Sequence, residues 1–139
     1  MQEKLESKTE YALAKHPIIF FIHKSKEGAD IFVNKENARR AGSKFYDILK
    51  DERTTSFQII DITGNSFALP FLEGFLLSSY SFSKYKKEKE DYLPEEVFIA
   101  GEEIPEDEIS EMVILTEAVF RARNLVNEPL SYLSANIFS

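Results

Sequence analysis

The stretch Phe67 to Tyr80 constrains the fold most, because Phe67, Leu69, Phe71, Leu72, Phe75, Leu76, Leu77 and Tyr80 make a helix apolar on nearly every side. A helix that is apolar all round belongs inside a layered structure rather than on its surface. Pro70 fixes its start. Proline is tolerated where its missing N–H has no intrahelical partner, so the helix begins around Phe67 and Pro70 falls in its first turn. Gly74 in its middle implies a neighbouring backbone at close range. The chain that must bury this helix has 139 residues, 43% hydrophobic and 29% charged, which suits a single globular domain.

The flanking segments alternate between two periods. Ile18-Ile19-Phe20-Phe21-Ile22, bounded by Pro17 and His23, reads as a strand covered on both faces. Asp30 to Val33 reads as a second short strand, with the approach to a helix as the alternative. From an N-cap at Asn34, the residues Ala38, Ala41, Phe45, Ile48 and Leu49 recur at steps of three and four, placing one apolar stripe on a helix ending near Asp51. Gly42 inside it predicts close packing. Ser56 to Ile62 is the next strand, and Thr63-Gly64-Asn65-Ser66 is a turn into the apolar helix. Ser83 to Asp91 is a charged loop, Glu96 to Ala100 a strand closed by Gly101. A last long helix begins near Pro105 with Glu106, Asp107 and Glu108 in its first turn, where the macrodipole favours negative charge. Its inward stripe is expected at Ile109, Met112, Val113, Thr116, Val119, Phe120 and Arg123. Strands separated by helices of this length predict an α/β fold with a parallel or mixed sheet.

Most chemistries fail on composition. With no cysteine, thiolate metal sites, disulfides and a cysteine nucleophile are excluded. A formal charge of −7 argues against binding nucleic acid, and the lysine and tyrosine run Lys84 to Lys89 reads as a solvated loop. His16 and His23 straddle a strand and would lie about 23 Å apart at about 3.3 Å per residue, too far to share a metal. The acidic run Glu102 to Glu108 lacks the alternating ligands and central glycine of a calcium loop, and a helix N-terminus accounts for it. Ser43 lies in an amphipathic helix without a nucleophile elbow. Gly28, Gly42, Gly64, Gly74 and Gly101 are isolated, so no phosphate cradle forms; the one junction of the right kind is Thr63 to Ser66. No apolar run reaches the roughly 18 residues of a membrane span, and the polar opening lacks a signal peptide's apolar stretch. A cytoplasmic protein is expected.

Two segments are more specific. Glu73-Gly74-Phe75-Leu76-Leu77-Ser78-Ser79-Tyr80-Ser81-Phe82-Ser83-Lys84-Tyr85-Lys86 resembles the Glu-Gly…Tyr-x-Phe-x-x-Tyr-Lys segment of the leucyl (cytosol) aminopeptidase family. Ala122-Arg123-Asn124-Leu125-Val126-Asn127-Glu128-Pro129, followed by Leu133 and Ala135, resembles that family's Ala-Arg-[Asp/Asn]-Leu-Val-Asn-x-Pro junction. The order of elements is also the family's, over residues 56 to 139.

The resemblance implies a macro-domain-like three-layer α/β fold, a mixed sheet flanked by helices. Residues 1–125 would form the family's N-terminal domain, and residues 126–139 the start of a linker into a separate catalytic domain. The family's two divalent metals, zinc or manganese, sit in that second domain, whose motifs this sequence lacks. It therefore implies no catalytic, cofactor-binding or metal residue here, only the signature positions Gly74, Tyr80, Phe82, Tyr85, Lys86, Arg123, Asn124, Asn127 and Pro129. Expected partners are its own catalytic domain and, as the family implies, copies of itself in a hexamer. The competing readings are a free-standing macro-like module binding a nucleotide or ADP-ribose, and a pure assembly domain. Against the first stands the missing glycine-rich loop.

Overall fold

The computed structural model describes residues 10–15, 18–25, 27–85, 92–101 and 103–129. Its elements are β1 (Glu10–Lys15), β2 (Ile18–His23), α1 (Ile31–Glu52), β3 (Ser56–Ile60), α2 (Ala68–Ser78), β4 (Glu96–Ala100) and α3 (Glu106–Asn127). β1 and β2 pair antiparallel, from Glu10 opposite His23 to Lys15 opposite Ile18. β3 and β4 pair in parallel, Ser56 opposite Glu96 through Ile60 opposite Ala100, with α2 in the crossover between them. Parallel strands need such a connection. The fold is thus mixed α/β, and among the described residues the strands form two two-stranded ladders rather than one sheet.

α1 starts earlier than a cap at Asn34 predicts, and the strand expected at Asp30–Val33 is its first turn. The reason is local. Asp30 has extended backbone and its carboxylate accepts from the Phe32 N–H at 2.7 Å, satisfying one of the free donors at a helix start. Three apolar β-formers then follow the cap, and capping overrides their strand propensity. The far end closes at Arg53, left-handed at φ 51°, whose N–H reaches the Leu49 and Lys50 carbonyls.

α1 and α2 form the main packing contact. Gly42 of α1 lies against the Phe71 carbonyl and Gly74 of α2 against the Arg39 carbonyl, so each helix admits the other's backbone at a glycine. Around this crossing an aromatic core assembles. Phe75 is fully buried; its ring centre lies 4.9 Å from Phe57 of β3, 5.3 Å from Tyr46 and 6.1 Å from Phe45. Phe21 of β2 joins through Phe45 at 5.2 Å. Tilted and edge-on pairs at these separations add to the burial of the rings themselves.

α2 lies deep as its composition requires, and begins at Ala68 with Pro70 in the first turn. α3 is different. Of its expected inward stripe, Met112 and Thr116 are buried, while Val113 and Val119 are exposed. The helix touches α2 along a narrow strip, so a wide apolar stripe has little to pack against among the described residues. None of the described helices is long and apolar enough to cross a membrane.

Candidate functional site

The signature residues of the two motifs meet where the chain leaves α2 and where α3 ends. After Ser79 caps α2, Tyr80 turns toward α3. Its hydroxyl donates to Asn124 Oδ1 at 2.9 Å and accepts from Asn127 Nδ2 at 3.0 Å. Asn124 and Asn127 are three residues apart on one helix, which puts both amides on one face within reach of a single oxygen. The Tyr80 ring lies 5.3 Å from Phe120 and beneath the Arg123 guanidinium at 5.4 Å. Arg123 also donates to the Leu77 carbonyl at 3.0 Å, satisfying one of the free acceptors in the last turn of α2.

A second clamp sits one step further along both segments. Lys84 and Tyr85 converge on Glu128, the tyrosine hydroxyl donating to Oε1 at 2.9 Å and the lysine ammonium forming an ion pair with the same oxygen. These donors hold the Glu128 carboxyl below its ordinary range, the Lys84 hydrogen bond being the strongest influence, and the same bond raises the lysine. Phe82 packs on the Tyr85 ring at 5.8 Å. Glu128 is in extended conformation at the C-cap of α3. The two clamps therefore fix the last turn of α3 and the residue that follows it to the loop leaving α2.

The structure brings Tyr80, Phe82, Tyr85, Arg123, Asn124 and Asn127 to this one place. Gly74 lies apart, in the contact between α1 and α2, and beside it Glu73 pairs with Arg39 at 2.6 Å. Pro129 is exposed beyond the clamp. Lys86 and His16 lie outside the described residues, as do Leu133 and Ala135. Sequence reasoning did not single out Lys84 and Glu128 as partners. Glu128 occupies the free position of the Asn-x-Pro motif, and nothing in a linear pattern shows that this position folds back onto a lysine 44 residues earlier.

Ser43 is structural: the Ser78 hydroxyl lies 2.8 Å from its Oγ, joining α1 to α2. At the junction from β3 to α2, the Asp61 carboxylate fills the turn. Its Oδ1 accepts from the Thr63 N–H at 2.8 Å and the Thr63 hydroxyl at 2.6 Å, and Oδ2 accepts from the Phe67 N–H at 2.8 Å. Burial alone would raise its carboxyl pKa; the hydrogen bonds from Thr63, Phe67 and Gly64 outweigh burial and hold it below the usual carboxylate range. An ionised side chain thus takes the backbone donors that an incoming phosphate would need, and repels it.

Among the clefts on the described surface, one of about 590 Å³ lies between α1, α2 and the first half of α3 and is lined by Lys35 and Arg39 together with Glu73, Glu103, Glu108 and Glu111. Another, about 540 Å³, runs along β3 beneath β2. Among the described residues no three His, Cys, Asp or Glu side chains gather as a metal site.

The chain is 35% identical over 114 residues to a probable cytosol aminopeptidase of Clostridium perfringens (strain 13 / Type A), a match that takes in 73% of this chain and 23% of that protein. The chain thus spans less than a quarter of the length of the curated relative it matches. No family model matches, and no solved structure matches. The match establishes a sequence relationship to that aminopeptidase.

Proposed function

We propose that this chain is the non-catalytic N-terminal domain of a metal-dependent, leucyl aminopeptidase-like exopeptidase. Its parent hydrolyses N-terminal residues from peptides, with two divalent ions, zinc or manganese, held in a separate catalytic domain. The observation that carries this reading is the Tyr80 hydroxyl bridging Asn124 and Asn127. Through that bridge the two signature segments, far apart in sequence, act together to set the course of the chain as it leaves α3. The similarity to the clostridial protein over 23% of that protein's length supports the same reading. In this role the domain is macro-like and cytoplasmic, and acts in homo-oligomer assembly, a hexamer as the family implies, and in shaping access to the active site. The parallel unit β3–α2–β4 is the part of the described structure that fits such a fold.

The competing nucleotide reading gains nothing from the β3–α2 turn, where Asp61 occupies the donors a phosphate would use. An enzymatic assay tests the proposal. The 139-residue chain with leucine p-nitroanilide and zinc or manganese should release no p-nitroaniline and take up no stoichiometric metal by calorimetry. Turnover, or tight metal binding, would sink the proposal.

A further inference from the structure

The asparagines of this chain stand in unequal surroundings. Asn34 and Asn37 lie inside α1, where Asn34 is buried. Asn124 and Asn127 lie in the last turns of α3, their amides held by the Tyr80 hydroxyl. Asn136 lies outside the described residues. Asn65 is different: it is exposed in the turn between β3 and α2, the one described asparagine outside a helix. The turn holds its main chain, the Asn65 N–H donating to the Thr63 hydroxyl at 3.2 Å. Among the described residues nothing bonds its side-chain amide or the N–H of Ser66.

Asparagine is a labile residue, and its main route of loss uses the next residue's backbone. Hydroxide takes the proton of that N–H, the nitrogen attacks the asparagine Cγ, and a cyclic succinimide forms as ammonia leaves. Water then opens the ring at either carbonyl. One opening gives aspartate; the other gives isoaspartate, whose main chain runs through Cβ and Cγ. The balance is amide plus water to carboxylate plus ammonium. A helix blocks the first step, because each interior N–H is already bonded to a carbonyl one turn earlier. That holds for the nitrogens following Asn34, Asn37 and Asn124, and after Asn127 the Glu128 N–H bonds to the Leu125 carbonyl. At Asn65 the attacking nitrogen belongs to Ser66, exposed, with a small side chain and a left-handed backbone at φ 56° that lies outside helix geometry.

We propose that Asn65 is a self-modification site, converted through the Ser66 nitrogen to aspartate and isoaspartate ahead of the other described asparagines. Either product puts a second carboxylate into the turn that the ionised Asp61 already fills. Isoaspartate also lengthens the main chain between Thr63 and Phe67, the two residues whose N–H groups Asp61 accepts. The modified turn carries a free isoaspartyl α-carboxylate, the group on which isoaspartyl methyltransferases act. The reaction needs water alone and is independent of the aminopeptidase relationship.

The test ages the folded 139-residue chain at mildly alkaline pH and follows each asparagine by mass spectrometry after digestion at mildly acidic pH, which adds little deamidation of its own. Asn65 should convert at least tenfold faster than Asn34, Asn37, Asn124 or Asn127. Isoaspartate should form there together with aspartate, read by an isoaspartyl methyltransferase that moves a labelled methyl group from S-adenosylmethionine to the isoaspartyl carboxylate. In the chain unfolded by guanidinium chloride, the lead of Asn65 over Asn124 and Asn127 should shrink at least threefold. Conversion at Asn65 no faster than at Asn37 would overturn the proposal, because the turn would then offer nothing that a helix withholds. Conversion to aspartate alone would overturn it by showing that water attacks the side chain without the Ser66 nitrogen. An undiminished lead in the unfolded chain would also overturn it, by assigning the reaction to the Asn-Ser sequence and not to the folded turn.

Discussion

The Cα of Gly74 stands so close to Arg39 that a methyl group placed on it would lie 1.9 Å from the Arg39 carbonyl oxygen. Nothing flexible separates them, since the obstacle is backbone on the facing helix. Gly74→Ala must push α1 and α2 apart at their tightest point, and the Phe75 and Phe45 rings beside it lose contact. Overpacking of this kind costs typically about 1–3 kcal/mol, and a backbone obstacle puts this case at about 3 kcal/mol or above. Urea unfolding should show a midpoint lowered accordingly. Gly64→Ala is the control: a methyl there meets nothing within 4 Å. Its loss should be only about 1 kcal/mol, from its left-handed backbone.

Tyr80→Phe keeps the ring against Phe120 and removes the oxygen that holds Asn124 and Asn127. Both amides are exposed and rehydrate, so the loss should be about 1 kcal/mol, or about 3 °C in Tm for a chain of this size. The more telling readout is local. Amide exchange in the last turn of α3 should rise while the α1–α2 core stays protected.

Asp61 provides a pH signature. Its folded carboxyl pKa is depressed, so its stabilising contribution is complete above the ordinary carboxylate value of 3.8 and fades as pH falls through the lower folded value. Asp61→Asn presents an N–H₂ group where the Phe67 N–H needs an acceptor. At pH 7 it should destabilise by about 1–3 kcal/mol, and the gap to the wild-type chain should narrow below about pH 4. A gap that stays constant from about pH 7 to about pH 3 would show that the ionised form is not what the turn requires.

Much of the fold was legible because helical and strand periods differ. The all-round apolar segment at Phe67 to Tyr80 had to be central, and Pro70 dated its start to within a residue of the observed Ala68. β3 and β4 stood out as short β-branched runs. The start of α1 was missed because Ile31, Phe32 and Val33 look like a strand, while the hydrogen bond from Phe32 to Asp30 that decides the matter is a property of the folded turn. The stripe on α3 was read too wide because periodicity reports which residues share a face, not whether another element covers it. β1 was not foreseen: Glu10–Lys15 sets Tyr11 and Leu13 among alanines between charged ends, too short an alternation to stand out, and it carries its strand identity from pairing with β2.

The candidate site was legible as two motifs and not as a contact. Tyr80, Arg123, Asn124 and Asn127 could be marked in the sequence. That one hydroxyl joins Tyr80 to both asparagines depends on α3 lying beside the exit of α2, which no local pattern encodes. Lys84→Met should test the neighbouring clamp: with the ammonium gone, Glu128 keeps Tyr85 as its partner among the described residues, and its carboxyl pKa, followed by NMR titration, should rise from its depressed value toward the ordinary 4.5. An unmoved titration would remove Lys84 from the clamp.

If the chain belongs to a larger peptidase whose chemistry lies elsewhere, the gene must say so. Sequencing it through the codon for Ser139 and beyond measures this most directly. The expected result is an open reading frame that continues into a second domain carrying the carboxylates and lysine of a two-metal aminopeptidase centre, with an extended product that cleaves leucine p-nitroanilide in the presence of zinc or manganese. A stop codon directly after Ser139, or a continuation without those ligands, would contradict it.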